Sequence, residues 1–328
     1  MSPVIAEIVR SGVVEGHHYG AVVALGADGS VTYSRGEVTA PFLPRSCNKP
    51  LQALAMVRAG LDLDGELLAL ACASHSGEDF HLDGVRRILA GAGLGEDALG
   101  NPAGWPLEDR VRDQVLRTGG TESRLFMNCS GKHAAMLATC VANGWPTATY
   151  LDPAHPLQQA IAADFAAQTG ESVAHVATDG CGAPLLSTSL VGLARAFSRL
   201  ATDPATDPAA DPAADPAAAR VAGAIRQHPA YVSGSERDER VLLTAIPGAI
   251  GKAGAESCYA VALPDGRAFA LKTDDGAARA RPVVMAALLR HLGVDTDPGV
   301  DTAAVRRTGE HPLYGGGAVV GEIRAVLV

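Results

Sequence analysis

Apolar positions along the 328-residue chain fall into two patterns that occupy different parts of it. Short runs rich in valine, leucine and aromatic residues, the mark of strands, gather near the ends: residues 4–9, 21–25 and 31–33 early, then 259–263, 267–271 and 318–328 late. Between them apolar residues recur at helical spacing over 49–59, 82–92, 132–142, 157–168 and 185–200, and again over 277–292, several stretches being closed by glycine. Terminal strands flanking a helical centre predict an α/β protein of the α+β type. One mostly antiparallel sheet is built from both ends of the chain, with helices packed on it and a helical lobe inserted. A doubly wound parallel sheet would need strands alternating with helices throughout, and residues 51–142 offer few. The expected organisation is a single domain over 1–328 with two lobes: sheet from about 1–45 and 245–328, helices over about 46–244.

Residues 203–219 stand apart as DPATDPAADPAADPAAA. Proline breaks regular structure and no large apolar side chain is present, so the repeat is expected to be an exposed low-complexity loop with nothing to bury.

Composition then narrows the partners. A chain that is 47% hydrophobic and 19% charged can bury a large core. Its formal charge of −9 argues against nucleic acid and anionic membrane surfaces, which select clustered lysine and arginine. The partners expected are small molecules or further copies of the chain. No basic region followed by an apolar run opens the sequence and no stretch is long enough to span a bilayer, so the expected location is cytoplasmic. Six cysteines, at 47, 72, 129, 140, 181 and 258, are scattered without a dense framework, which in a reducing compartment means free thiols or metal ligands.

Candidate chemistry begins at Ser46-Cys47-Asn48-Lys49-Pro50. A serine and a lysine three residues apart share a helical face, and Pro50 is tolerated cheaply only in a helix's first turn. Ser46 should therefore lie at a helix N-terminus, where unpaired N–H groups favour an oxyanion and a neutral Lys49 amine can take the serine proton. A bland helix cap followed by a solvated lysine gives the same spacing. Cys72-Ala73-Ser74-His75-Ser76-Gly77-Glu78 puts two hydroxyls, an imidazole and a carboxylate in one turn, and His75 reads equally as a base or as a satisfied turn residue. Asn128-Cys129-Ser130-Gly131-Lys132-His133 opens a helix and holds Cys129 and His133 as possible metal ligands. A further thiol recurs in Asp179-Gly180-Cys181-Gly182-Ala183-Pro184, expected as a tight turn before a helix; buried unpaired cysteines are the plain alternative. The glycine-rich run GAIGKAG over 248–254 lacks the spacing of a phosphate loop. Its Lys252 instead resembles the lysine of the Lys-Thr-Gly element of serine acyl-transferases, and is preferred to Lys272, which closes a strand into an acidic turn.

Taken in order, PRSCNKPLQAL, ACASHSGE, NCSGKHAAML, TDGCGAP, HPAYVSG and GKAGAE resemble the asparaginase II family of the rhizobial type, from about Val9 to the last strand. The resemblance implies a fold like those of serine β-lactamases, penicillin-binding proteins and bacterial glutaminases, and a homodimer. It implies hydrolysis of L-asparagine to aspartate and ammonia, with no organic cofactor. By motif match it implies Ser46 with Lys49 as one serine–lysine pair and a serine of the SHS segment with Lys252 as a second, Ser74 being the better match and Ser76 remaining open. It also implies a zinc site of Cys129, Lys132 and Cys181, with Asp179 close by. Arg45, His75, Ser76 and Asp179 are the candidate substrate contacts. The Asp-Pro repeat and Cys47 are departures from the family pattern, and neither removes a candidate catalytic group. Two rival readings remain: hydrolysis of another acyl substrate of β-lactam or peptide type, and an amino-acid-binding protein that does no chemistry.

Overall fold

The computed structural model of the protein describes residues 1–202 and 215–327. The start of the chain supplies β1 (Val4–Arg10), β2 (Val13–Leu25) and β3 (Val31–Arg35). The middle adds only the short β4 (Val176–Thr178) and β5 (Pro184–Leu186). The end supplies β6 (Ile250–Gly254), β7 (Cys258–Ala262), β8 (Ala268–Thr273), β9 (Pro312–Gly315) and β10 (Ala318–Ala325). Eight of these strands form one sheet in the order β6-β7-β8-β2-β1-β10-β9, with β3 also on β2, and β4 and β5 make a separate hairpin. The main sheet is antiparallel, and β1 pairs with β10 in the register Ala6 opposite Ala325. The expected sheet built from both chain ends is the one observed.

The described residues hold twelve helices. They are α1 (Lys49–Arg58), α2 (Gly65–Ala71), α3 (Asp79–Gly91), α4 (Asp109–Arg117), α5 (Ser130–Ala142), α6 (Pro156–Thr169), α7 (Leu190–Ala201), α8 (Pro216–Gln227), α9 (Pro229–Val232), α10 (Asp238–Ala245), α11 (Ala280–His291) and α12 (Thr302–Thr308). The chain divides into two compact units. The sheet unit comprises residues 1–47, 188–202 and 241–328; the helical unit comprises 48–187 and 203–240. In the sheet unit, α7 and α11 pack on β8, and the second half of β2 is buried while its first half is largely exposed. In the helical unit, α1 packs on α6, α2 on α8 and α3 on α5.

Several boundaries differ from the sequence pattern for identifiable reasons. The helical run over 185–200 is two elements: Pro184 opens β5, and α7 starts only after Ser189, whose hydroxyl accepts a hydrogen bond from the Gly192 N–H at 2.9 Å. The turn at 179–183 accordingly closes the β4–β5 hairpin rather than leading into a helix. The glycine-rich run with Lys252 is an edge strand, β6, whose small residues allow close approach: a Cβ on Gly254 would sit 2.7 Å from the Pro44 carbonyl oxygen. The Asp-Pro repeat lies outside the described residues over 203–214. From Asp215 onward it belongs to α8, with the Asp215 carboxylate capping Ala217 N–H at 3.0 Å and Pro216 in the first turn.

The Ser189 cap makes the β5–α7 boundary testable. Ser189→Ala should lower unfolding free energy by about 1 kcal/mol, within the roughly 0.5–2 kcal/mol span of lost caps. Urea denaturation that gives no loss would place the start of α7 elsewhere.

Candidate active site and metal centre

In the sheet unit, a 3₁₀ turn over Arg45–Asn48 carries Ser46 and runs straight into α1, so Pro50 falls in the helix's first turn as its ring requires. Ser46 is 9% exposed. Arg45 before it has φ of 51°, a left-handed conformation uncommon outside glycine, of the kind that collects at functional sites. The Arg45 guanidinium lies 3.7 Å from the Glu256 carboxylate, a loose and largely exposed pair. Cys47 donates its S–H to the Lys252 carbonyl oxygen at 3.0 Å, and Gly254 faces the Ser46 backbone nitrogen, so β6 lies directly against the serine turn. Lys252 shares the face of β6 that carries Gly254. It is wholly buried, its amine donating to the Ala253 carbonyl at 2.8 Å, whereas Lys272 is half-exposed at the end of β8.

In the helical unit, the Lys49 amine, 1% exposed, donates to the Ala73 carbonyl and lies 3.0 Å from the Ser74 hydroxyl. This contact joins residues that the sequence motifs assigned to different pairs. Ser76 is separated from it: its buried hydroxyl has no hydrogen-bond partner among the described residues and faces Gly234, where an added Cβ would come within 1.9 Å. Of the two serines left open, Ser74 is the one on a lysine.

The Ser74–Gly77 segment has no helix or strand of its own, so its backbone donors are met from elsewhere. Ser74 N–H donates to Val232 O at 3.1 Å, His75 N–H to Asn128 O at 3.1 Å and Ser76 N–H to Ser233 O at 2.7 Å. His75 is fully buried and both its ring nitrogens are engaged. Nδ1 accepts the Gly77 N–H at 3.1 Å, so the proton lies on Nε2, which donates to the Ser130 hydroxyl at 2.8 Å. Both ring nitrogens are thus engaged within the helical unit. Burial, then the charges of His81 and Lys49, hold the basicity of His75 well below the ordinary histidine value. His81 stacks on it, ring centroids 5.1 Å apart, and burial pushes His81 down to about 4 even though the Ala230 carbonyl and Glu78 favour its charged form.

The thiol-bearing turns also meet within the helical unit. The ligand atoms of Cys129, at the start of α5, and of Asp179 and Cys181, on the β4–β5 turn, all lie within 4.8 Å of one another. The Lys132 amine, one turn into α5 and 2% exposed, donates to the Cys181 sulfur at 3.1 Å. A hydrogen bond from the Cys181 thiol holds Cys129 well below the usual thiol range despite its burial, and Cys181 is raised in turn. Burial works against the Lys132 ammonium, but Cys181, Cys129 and Asp179 outweigh it and keep its proton on. Cys129, Cys181 and Asp179 are of the residue types that ligate zinc, whereas the Lys132 amine here keeps its proton. His133, on the same helical face as Cys129, is bound at Nδ1 to the Tyr150 hydroxyl at 2.6 Å. Tyr150 in turn accepts the Gly100 N–H at 2.9 Å, and burial pushes His133 down to about 4 although a hydrogen bond with Cys181 favours its charged form. The six cysteines are buried and form no disulfide with one another.

The sequence motifs contained Ser74, Lys49 and the thiols, but they missed Tyr150 and the contribution of His81. Neither residue stands in a motif; only the fold brings them to these clusters.

A serine hydroxyl in contact with a buried lysine amine has a group beside it that can exchange a proton with it. The chain belongs to the L-asparaginase II family, whose pattern it matches over residues 6–325. Membership supports an amidohydrolase. No curated protein matches the chain. Similar solved structures include a β-lactamase from Mycobacterium bovis, at 16% identity over 83% of this chain and 94% of that one, with a TM-score of 0.42. A simvastatin synthase variant from Aspergillus terreus is similar at 12% identity over 77% of this chain and 86% of that one, TM-score 0.38. The hydrolase EstCE1 is similar at 13% identity over 79% and 91%, TM-score 0.37.

Buried neutral histidines tie stability to pH. An unfolded chain takes up a proton at His81 below about pH 6.5, whereas the folded ring resists protonation until about 4. His75 acts in the same direction. Their contribution is therefore complete above the unfolded value and is lost as pH falls from about 6.5 toward 4. The melting temperature should drop across that window and drop less in His81→Gln; equal slopes for the two proteins would contradict the assignment.

Proposed function

We propose that this protein is an L-asparaginase, hydrolysing the side-chain amide of L-asparagine to L-aspartate and ammonia. The observation that carries the reading is the Lys49–Ser74 contact in a chain that belongs to the L-asparaginase II family. Ser46 is the nucleophile. Its hydroxyl attacks the amide carbon and passes its proton through a neutral lysine amine to the departing nitrogen, so ammonia leaves and an ester to Ser46 remains. Water then cleaves the ester, releasing aspartate and restoring the hydroxyl. Backbone N–H groups at the 3₁₀ turn are the natural donors to the oxyanion. Lys49 with Ser74 forms the proton-handling pair, Lys252 lies on the strand beside Ser46, and Arg45 is the cation for the substrate carboxylate. Ser76 and Asp179 are the remaining polar candidates for substrate contact. Partners beyond the substrate are a second copy of the chain, and the location is cytoplasmic.

Replacing Ser46 with alanine should leave the fold intact and reduce kcat by more than about a thousandfold, as loss of a covalent nucleophile does. Ammonia release from asparagine and glutamine, set beside ring opening of a β-lactam followed by its loss of absorbance, decides the substrate. Ser46→Ala retaining a tenth of the wild-type rate would move the nucleophile to Ser74, and turnover of the β-lactam alone would set aside the asparaginase reading. Because the lysines must work as neutral amines, activity should rise from neutral toward alkaline pH, and Lys49→Met should flatten that rise.

Cys129, Cys181 and Lys132 are the residues that would hold zinc, with Asp179 beside them. Bound there, the ion would supply a Lewis-acidic point for orienting a substrate group, since a serine already provides the nucleophile. Lys132 would have to give up the proton that the metal-free cluster keeps on it, so zinc uptake should release protons and strengthen as pH rises. Elemental analysis is expected to find about one zinc per chain, falling sharply in Cys129→Ser and Cys181→Ser. Protein prepared without chelator and free of metal would return the cysteines to a structural role.

A further inference from the structure

Ser74 owes its place to neighbours distant in sequence. Lys49 fixes its hydroxyl, yet the turn that carries it has no regular structure, so something must hold the backbone. Two segments do so. On one side, Val232 and Ser233 accept the N–H groups of Ser74 and Ser76. On the side of α5 the link runs through His75, which donates its backbone N–H to Asn128 O and its Nε2–H to the Ser130 hydroxyl, while its Nδ1 accepts the Gly77 N–H within the turn. The Ser130 hydroxyl passes its own proton on to Leu125 O at 2.9 Å, which fixes it as the acceptor toward His75. Ser130 is the first residue of α5, one position after Cys129 and two before Lys132. The ring is fully buried, stacked on His81, and His81 Nε2 is bound to Ala230 O at 3.0 Å. His75 thus ties the serine turn both to the start of the thiol-bearing helix and to the segment that precedes Val232.

We propose that His75 is a positioning residue, which as the neutral Nε2–H tautomer locks the Ser74 turn onto the first turn of α5 and so sets the Ser74 hydroxyl on the Lys49 amine. It transfers no proton in the reaction. The inference rests on the reading that the Lys49–Ser74 pair serves amide hydrolysis, and it specifies which atoms matter. Asparagine at position 75 can reproduce the Nδ1 acceptor for Gly77 but cannot reach Ser130; glutamine can place a donor near the Nε2 position.

The test compares the full-length protein with His75→Asn, His75→Gln, Ser130→Ala and the His75→Asn/Ser130→Ala double variant, by ammonia release from L-asparagine and by amide hydrogen exchange. His75→Asn and Ser130→Ala should each lower kcat by about tenfold or more with KM changed less than about twofold, and the double variant should be no worse than either. His75→Gln should recover most of the rate. Exchange should accelerate at residues 74–77 and 128–131 and leave the β7 and β8 amides unchanged. Unchanged kcat in His75→Asn, losses that multiply in the double variant, or unchanged exchange at 74–77 would overturn the proposal. Should His75→Asn fail to fold, Ser130→Ala, which removes a single hydroxyl, carries the same comparison. If the wild-type protein releases no ammonia from asparagine, the substrate reading falls, and the exchange pattern alone decides whether His75 holds the turn.

Discussion

Lys49, Lys132 and Lys252 are among the largest fully buried side chains of the protein, and the rest of the candidate chemistry follows from what burying an amine demands. Lysine is almost never fully buried unless paired, because the interior cannot replace water around an ammonium group cheaply. Each of the three is answered differently. Lys49 finds a carbonyl and the Ser74 hydroxyl, Lys252 finds the carbonyl of its own neighbour, and Lys132 finds sulfur. Neutral oxygens answer two of the amines, and the thiols and carboxylate around the third keep its proton on against burial.

The three answers require backbone to be brought to the amines rather than the reverse. The Ala73 carbonyl can face Lys49 only because α2 stops at Ala71 and the chain continues without regular structure through Gly77, which has φ of 84°. Beside Ser46, a strand of glycine and alanine can lie against a left-handed arginine turn where a larger residue would collide with the Pro44 carbonyl. Stability given up in these irregular segments is returned by the cores around them, in the buried faces of α1 and α5 and in the central strands.

How much of this the sequence discloses depends on whether a signal is local. Strands β1, β7, β8 and β10 are legible because β-branched and aromatic residues mark them, and α1, α5 and α6 because apolar spacing does. β6 is hidden because glycine and alanine carry no strand signature, and its reason for being small, contact with the serine turn, lies some two hundred residues away in the chain. The first half of β2 is hidden because it is exposed and polar, so burial leaves no alternation to read. The serines, lysines and cysteines were visible as residue types, but the Lys49–Ser74 contact spans 25 positions and the Lys132–Cys181 contact 49, distances that motif spacing cannot cross. His75 shows the limit most clearly: its sequence surroundings read equally as catalytic or structural, and only the fate of its two ring nitrogens separates them.

The pairing of β1 with β10 sets an order on synthesis. Ala6 meets Ala325, so β1 has no outer neighbour until β10 has been made. β2 waits likewise for β8, while residues 48–187 of the helical unit are complete much earlier. A nascent chain therefore carries the three-stranded ribbon β1–β2–β3 without β8 and β10 until those strands are made, with Ile5 and the apolar second half of β2 still uncovered by helices. The exposed, charged and histidine-bearing first half of β2 is the part of that ribbon least prone to recruit another chain. Expression of this protein should accordingly depend more on chaperone supply and translation speed than its final packing would suggest.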